Sequence, residues 1–282
     1  MPTFKITVAY EGTEFVGWQR QAAGVSVQGL LEDAARELDE REVTVVGAGR
    51  TDAGVHALAQ VAAFTLTREV SAGTVVRALN ARLPETVRVV AAIEVPPTFH
   101  PQFDARAKRY RYRIWNGAVV LPFERRYVWH VPGGLDVAAM QRAARLLEGE
   151  HDFAAFQSSG SDVETTARRI FASELRIAEC GVRSDCGFPA PQSAIHNESA
   201  LRTPQSALLL YDVVGDGFLR HMVRTIAGSL VEVGRGRQRP EWIAEVIASR
   251  DRSRAGRAAP AAGLFLVGVD YDVHSGFTTK DA

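Results

Sequence analysis

One aspartate stands between glycines in a short stretch that packing alone does not explain. The stretch GAGRTDAGVHA, residues 47–57, contains Arg50, Thr51 and Asp52, and apolar strand-like runs lie on both sides of it. A carboxylate in such a loop can be an Asx-turn residue that bonds the backbone amides after it. It can also be a reactive group that a loop available only to glycine brings close to a substrate. Composition leaves both interpretations of Asp52 open.

A second stretch combines basic and aromatic residues in strand-like alternation. In ARAKRYRYRIW, residues 105–115, alternation places Tyr110 and Tyr112 on one face of a strand and Arg109 and Arg111 on the other. Arginines in register on one strand repel each other unless an anion lies across them. Aromatic rings beside basic side chains suit a nucleic acid, through stacking and phosphate contacts. This interpretation is favoured over an ordinary strand with a solvated face.

A third candidate is DGFLRHMVRTIAGSL, residues 216–230. Arg220 and Arg224 are four residues apart, so a helix would display both on one face, with His221 beside them. Taken alone, the pattern is also that of a helix showing charge to solvent. His221 is interpreted as a surface or phosphate contact rather than a metal ligand, because no second histidine or cysteine stands near it. No metal site is expected.

Composition bounds the class of protein without indicating a ligand. The chain has 282 residues, with 33 Lys and Arg against 33 Asp and Glu, so its overall charge does not indicate a nucleic-acid binder. No apolar run approaches the roughly 18 residues of a membrane span, and the start lacks a signal-peptide pattern. The expected location is therefore the cytoplasm. Cys180 and Cys186 lack zinc spacing and are expected to be reduced thiols.

Hydrophobic periodicity predicts an α+β protein of two related halves. Residues 1–104 follow the order strand, helix, strand, strand, helix, strand, which is that of a ferredoxin-like split β-α-β unit. Residues 105–282 repeat the theme less cleanly, with an inserted loop at about 180–206. Each half is expected to have a mostly antiparallel sheet with helices on one face. The predicted helix N-caps are Ser26, Ser71 and Asp136.

Together these features resemble the TruA family of tRNA pseudouridine synthases. The stretch GAGRTDAGVHA is similar to that family's signature aspartate loop, and further blocks flank it in the family's order. These blocks are FVGWQRQ (15–21), SVQGLLE (26–32), TFHPQFDARAKRYRYRI (98–114), GFLRHMVRTIAGSLVEVG (217–234) and PAAGLFLVGVDY (260–271). The inserted loop looks longer than the family's usual connection, and Pro101-Gln102 stands where an Ala-Arg pair is common.

The resemblance implies an activity and an assembly. It implies a homodimer that isomerises uridine to pseudouridine at positions 38, 39 and 40 in the anticodon stem-loop of tRNA, with no metal, nucleotide or other cofactor. The two halves would join their sheets across a central basic cleft. Asp52 would be the catalytic carboxylate, acting as a nucleophile or as a base.

The resemblance also assigns roles to residues around Asp52. Arg224 would pair with Asp52 and keep it ionised in a partly dry site. Tyr110 would stack on the uracil after it leaves the helix stack, and Leu264 would form an apolar floor beneath it. Arg50 would help fill the space left in the RNA or hold a phosphate. The expected further RNA contacts are Arg109, Arg111, Arg220 and His221.

Two other functions remain open from the residues. One is a catalytically silent RNA-binding protein of the same fold, which would keep the arginines and tyrosines but has no reason to keep Asp52 together with Arg224. The other is a hydrolase that uses Asp52 as a nucleophile on a small substrate. That enzyme would not need a basic strand, and its substrate binding would not depend on salt.

Overall fold

The computed structural model describes residues 1–158, 163–178 and 206–271. Within these ranges the chain is mixed α+β, with five α-helices and one mostly antiparallel sheet of ten strands. No helix in these ranges has the length and apolar character needed to cross a membrane. Cys180, Cys186 and all but the last residue of the predicted inserted loop lie outside the described residues.

The first half begins each helix as its sequence pattern predicts. Ser26 Oγ accepts a hydrogen bond from the Gly29 N–H, and Ser71 Oγ accepts one from the Thr74 N–H, both at 3.2 Å. These caps satisfy amide groups that a helix start leaves without intrahelical partners. The elements are β1 (Thr3–Tyr10), α1 (Val27–Asp39), β2 (Val46–Gly47), β3 (His56–Thr65), α2 (Ala72–Arg82) and β4 (Val87–Val95).

Strand β2 has only two residues. Side chains of α1 bond the backbone just before it. The Gln28 amide donates to the Val45 carbonyl at 2.9 Å, and the Val45 N–H donates to Glu32 Oε1 at 3.4 Å. Because Val45 uses its backbone groups in this way, ladder pairing with β3 begins only at the next residue.

The second half contains one strand that its sequence pattern does not predict. The four residues Gly149–Asp152 pair antiparallel with the strand Ala167–Ile177, although they are polar and lack an alternating pattern. Asp136 caps the helix Val137–Arg145 as expected, and its side chain accepts a hydrogen bond from the Ala139 N–H at 2.8 Å. The elements are β5 (Ala107–Gly117), β6 (Trp129–His130), α3 (Val137–Arg145), β7 (Gly149–Asp152), β8 (Ala167–Ile177), β9 (Ser206–Gly215), α4 (Met222–Gly234), α5 (Trp242–Ser249) and β10 (Leu264–Asp270).

The last strand joins the two halves into one sheet. The strand order is β4-β1-β3-β10-β5-β9-β8-β7, with β2 beside β3 and β6 beside β5. Strand β10 pairs parallel with β3 and antiparallel with β5. Because parallel strands begin at the same edge, the Asp52 loop before β3 lies beside the segment before β10. A Cβ added to Gly54 would be only 3.1 Å from Ala261 Cβ.

Helix α4 is buried on nearly all sides. Its Thr225 and Ser229 are fully buried, at 0% exposure. A Cβ on Gly228 would lie 1.8 Å from the Arg257 carbonyl oxygen, and Ser229 Oγ accepts from the Gly256 N–H at 2.9 Å. This close approach, which only glycine allows, fixes the middle of α4 against the segment that leads into β10.

Candidate active site

The loop that carries Asp52 closes through its backbone. The Asp52 carbonyl accepts a hydrogen bond from the Val55 N–H at 3.1 Å, and Gly54 is left-handed with φ +77°. An Asx-turn would instead use the carboxylate to accept from the amides that follow. Within the described residues the carboxylate contacts other side chains and none of those amides. The Asp52 side chain, 26% exposed, is therefore available to the rest of the site.

Buried hydrogen bonds hold this loop on the sheet. Tyr10 Oη and Thr51 Oγ1 are 2.8 Å apart, and the Gln60 amide donates to the Gly49 carbonyl at 2.9 Å. The Thr51 carbonyl accepts from the Trp18 N–H at 3.1 Å. Strands β1 and β3 thus set the position of the loop. Apart from the alternation that turns Tyr10 inward, no pattern in the sequence indicates these supporting contacts.

Gly17 allows a neighbouring loop to run directly against the Asp52 loop. Its φ is +112°, and a Cβ there would lie 2.6 Å from the Thr51 carbonyl oxygen. Any other residue would meet both the backbone penalty and this clash. The block that contains Gly17 therefore shapes the aspartate loop from outside.

Arg224, in the first turn of α4, approaches the carboxylate. Its Nη1 is 3.5 Å from Asp52 Oδ2, which is an ion-pair distance rather than a short hydrogen bond. Its Nε donates to the Ala259 carbonyl at 2.8 Å, and the Ala259 N–H donates to the Arg224 carbonyl at 3.0 Å. The structure thus brings Arg224 and Asp52 together, with the guanidinium fixed by the segment before β10.

Helix α4 begins later than its sequence pattern predicts. The Met222 N–H donates to the Leu219 carbonyl at 3.0 Å, and His221 is left-handed with φ +61°, so the chain turns sharply before the helix. The predicted shared helix face of Arg220 and Arg224 is therefore wrong. Arg220 lies in the turn, with its side chain exposed, while Arg224 lies on the helix.

His221 also lies at the carboxylate, a contact that its sequence pattern does not indicate. Its Nε2 is 3.5 Å from Asp52 Oδ2, and its Nδ1 is 2.7 Å from Ser158 Oγ. Burial lowers the pKa of His221, Asp52 opposes that shift, and the neighbouring arginines reinforce it. The imidazole is therefore neutral at pH 7.

Tyr110 and Leu264 lie on the same face of the sheet. The register of β5 and β10 places Leu264 opposite Tyr112, two residues from Tyr110, so all three side chains point to one face. Tyr110 and Leu264 are 7% and 4% exposed. They therefore belong to one buried apolar face of the sheet.

The Tyr110 ring is supported at its side and lies within electrostatic range of the carboxylate. It meets the Phe218 ring edge-on, with centroids 5.1 Å apart. Burial raises the pKa of Tyr110, and Tyr10 and Asp52 add to this shift. The hydroxyl therefore stays protonated at neutral pH. It makes no hydrogen bond to the part of the chain that the structure describes.

Two members of the arginine row of β5, Arg111 and Arg113, pair with the chain's own carboxylates. Arg111 holds Asp212 with two hydrogen bonds, from Nε at 2.7 Å and from Nη2 at 3.2 Å. Arg113 Nη2 lies 3.0 Å from Glu124 Oε2. The anionic groups expected across these arginines are therefore, for Arg111 and Arg113, carboxylates of the chain itself. Whether these arginines also contact RNA stays a prediction.

Two further cations lie near the aspartate loop. Arg50 is exposed and forms no hydrogen bond or ion pair with any described residue. Lys108 Nζ would lie 3.7 Å from a Cβ on Gly49. Burial lowers the pKa of Lys108, and Asp216 opposes that shift. In the described ranges no three His, Cys, Asp or Glu side chains are grouped as a metal site.

Comparison with known proteins relates the chain to one family. A family model described as tRNA pseudouridine synthase matches residues 6–104 and 143–272. The chain is 42% identical over 271 residues to tRNA pseudouridine synthase A of Pelobacter propionicus, covering 96% of this chain and 100% of that protein. It is 45% identical to the protein of that name from Solidesulfovibrio magneticus, over 96% of this chain and 92% of the relative. With the Moorella thermoacetica protein it shares 41% identity, over 96% and 100% of the two chains.

Proposed function

Because the chain belongs to the tRNA pseudouridine synthase family and is an isomerase that acts on tRNA, we propose that it converts uridine to pseudouridine at positions 38, 39 and 40 of the anticodon stem-loop. Asp52 is the reactive carboxylate in this proposal. One observation carries it: the Asp52 carboxylate is not used by its own turn and lies 3.5 Å from both Arg224 Nη1 and His221 Nε2.

The chemistry needs one carboxylate close to the nucleotide. The N1–C1′ bond of uridine breaks and its electron pair leaves with the uracil, the base turns in place, and C5 then bonds to C1′. C5 loses its proton and N1 carries one in the product, so the isomerisation is balanced. Asp52 fits as a nucleophile at C1′ or C6, or as a base for a sugar proton. Both routes use the carboxylate form of Asp52.

The buried face beside the carboxylate suits a uracil that has left the helix stack. A base extruded from RNA loses its stacking partners and gains from a new aromatic surface. Tyr110 provides the ring, and Leu264 provides an apolar floor on the adjoining strand. The exposed Arg50 guanidinium extends from the same loop as Asp52 and fills the place that the base vacates or holds a phosphate.

RNA binding outside the target nucleotide is assigned to basic side chains on two elements. Arg109 and Arg111 of β5 and Arg220 before α4 contact phosphates. Such contacts release counterions, so tRNA affinity falls as salt concentration rises despite the chain's zero net charge.

The same proposal covers the architecture. Residues 1–104 and 105–282 form two related ferredoxin-like halves across a central basic cleft, and the protein acts as a homodimer in the cytoplasm. The order β4-β1-β3 with β2 beside β3 supports this plan for the first half. The pairing of β10 with both β3 and β5 supports a junction between the halves at the Asp52 loop.

Asp52→Asn tests the proposed function. The amide is nearly isosteric and the turn is closed by the backbone, so folding and tRNA binding should survive. The amide cannot act as a nucleophile or base at neutral pH, so the rate should fall at least ~10³-fold. The assay measures pseudouridine in unmodified tRNA by its reaction with carbodiimide. The control is Asp33→Asn, which removes a carboxylate 47% exposed on α1 and should leave the rate unchanged.

Three results would contradict the proposal. A comparable rate in Asp52→Asn would reduce Asp52 to a turn residue. Failure of that variant to fold or to bind tRNA would make the role structural. Binding of tRNA by the unaltered protein without any product would indicate the silent RNA-binding protein instead.

A further inference from the structure

His221 is held in a backbone conformation that costs energy. Its φ of +61° is in the left-handed region, which non-glycine residues seldom adopt. It stands immediately before α4, and no side chain caps that helix start. Strained residues of this kind persist where the surrounding structure over-determines them, commonly at functional sites. The left-handed turn places the imidazole beside Asp52 instead of continuing the helix.

Ser158 fixes the orientation of the ring. Ser158 Oγ lies 2.7 Å from His221 Nδ1, and the Ser158 N–H donates to the Arg220 carbonyl at 3.1 Å. Both contacts attach one residue to the turn that carries the imidazole. With a neutral ring, a Ser158 hydroxyl that donates to Nδ1 leaves the proton on Nε2. The protonated Nε2 then lies 3.5 Å from Asp52 Oδ2, at ion-pair distance.

We propose that His221 is a positioning residue that holds the Asp52 carboxylate through Nε2–H while remaining uncharged. The inference rests on the proposed function of Asp52. Arg224 and His221 approach the same oxygen, Oδ2, so two donors on one turn of chain restrict the carboxylate to one orientation. Its other oxygen, Oδ1, has no hydrogen bond or ion pair with the described residues and is therefore available to the nucleotide.

The neutral state of His221 matters because a second cation beside Asp52 would reduce the reactivity of its carboxylate. The charged groups that act on the ring are Asp52, Arg224, Arg220 and Arg252. Burial is the largest cause that lowers the pKa of His221; Asp52 opposes the shift and the three arginines add to it. Below that pKa the imidazolium and Arg224 would both bind Asp52, which would make it a poorer nucleophile and base. Turnover should therefore fall on the acid side, at a pH below the ordinary histidine range.

Two substitutions separate positioning from RNA contact. His221→Gln places an amide N–H about as far from the backbone as Nε2, without a titrating group. His221→Asn tolerates the left-handed backbone and can still bond Ser158, but it is too short to reach Asp52. His221→Gln should keep most of the turnover at neutral pH, and its turnover should no longer fall at acid pH through titration of residue 221. His221→Asn should lower kcat by about 10²-fold, the cost of a misplaced reactive group, with KM and the tRNA Kd unchanged.

A histidine away from Asp52 serves as the control for both substitutions. His151→Gln removes a histidine whose ring lies 2.9 Å from the Glu148 carbonyl oxygen, and it should leave the pH profile of kcat unaltered. The inference is wrong if the fall of kcat at acid pH persists in His221→Gln, or if His221→Gln and His221→Asn lower kcat equally. It is also wrong if both variants raise Kd and leave kcat unchanged, since His221 would then contact RNA alone.

A measurement on the free protein separates this inference from the proposed function. Asp52 is the anion that opposes the lowering of the His221 pKa. Asp52→Asn should therefore lower that pKa further, as followed by NMR of ¹³C-labelled imidazole. An unchanged His221 pKa would overturn the inference even if tRNA is modified normally. If the unaltered protein forms no pseudouridine in tRNA, the proposed function is wrong. The NMR result would still show whether His221 and Asp52 interact.

Discussion

Arg224 is fixed by Ala259 more tightly than by the carboxylate it faces. The Arg224 Nε lies 2.8 Å from the Ala259 carbonyl oxygen, and the backbone groups of the two residues also bond at 3.0 Å. Only the remaining arm of the guanidinium extends to Asp52, at 3.5 Å. One planar group therefore joins the segment before β10 to the aspartate loop, which requires two donors at a fixed angle.

Arg224→Lys should separate charge from this geometry. A lysine keeps the positive charge but has one ammonium, which cannot hold the Ala259 carbonyl and Asp52 together. We expect turnover to fall by about 10²-fold with tRNA affinity little changed. Loss of the bond to the carbonyl should also cost about 1–3 kcal/mol of unfolding free energy. Single-turnover assays and urea melts measure the two effects.

Arg235→Lys is the matched control for that variant. Arg235 lies just past the other end of α4 and pairs with Glu232 at 3.6 Å. The conservative change there should leave turnover intact. Full activity of Arg224→Lys would show that charge alone suffices and that the bond to Ala259 serves only the fold.

The arginine row on β5 gives a second prediction. Arg109→Ala and Arg111→Ala should each weaken tRNA binding and reduce the log–log salt slope by about one unit. Arg111→Ala should also lower the melting temperature, because it leaves Asp212 without its two-point partner. Arg82→Ala, on the exposed side of α2, is the control and should leave the slope unchanged.

Two results would show that β5 does not bind RNA through these arginines. A normal salt slope in Arg111→Ala together with a lower melting temperature would show that Arg111 serves the ion pair with Asp212 and not the RNA. A normal slope in Arg109→Ala as well would remove this strand from the RNA-binding surface.

Local patterns account for most elements of the fold. The alternation in β1 predicts the burial of Phe4, Ile6 and Val8, all at 0% exposure, and the N-cap serines predict where two helices begin. Both signals lie within one element, so no distant partner is needed to interpret them. The start of α4 is different, because the close packing of residues 256–259 and the turn at His221 depend on distant chain segments.

The candidate site shows the same division. Asp52 stands out in its loop, but Arg224 is 172 residues away and its contact followed only from the family resemblance. Ser158 and His221 are 63 residues apart. They lie together because the Ser158 N–H bonds the Arg220 carbonyl, and no spacing in the chain indicates this contact. The insertion of β10 between β3 and β5, which assembles the site, is likewise a property of the whole sheet.

Tyr110 provides a test of stacking against acid–base chemistry. Its hydroxyl has no hydrogen-bond partner among the described residues, and burial raises its pKa. Tyr110→Phe should therefore keep nearly full activity. Tyr110→Ala should lose the stacking interaction with the base, which contributes about 1–3 kcal/mol. Measuring kcat/KM for both variants decides the role. Equal damage from Phe and Ala would make the hydroxyl the working group.

His56 should make the stability of the fold depend on pH. It is 1% exposed, its Nδ1 accepts from the Gly12 N–H at 3.0 Å, and its Nε2 lies 3.0 Å from the Arg126 carbonyl oxygen. The ring is thus neutral, with its proton on Nε2. Burial lowers the pKa of His56 in the folded protein. The unfolded chain consequently binds a proton at a higher pH than the folded chain does.

The sign of the effect follows from that difference. As pH falls below the ordinary histidine range, the unfolded state takes up the proton first, so the free energy of unfolding decreases. The contribution of His56 is fully present above that range and is lost toward its folded pKa. His56→Gln should be less stable at neutral pH, because the bond from Gly12 is disturbed, but its stability should decline less on acidification. Urea melts of both proteins between about pH 5 and pH 8 measure this. Parallel stability curves across that window would show that His56 does not titrate with unfolding, and the neutral bridge between Gly12 and Arg126 would then be wrong.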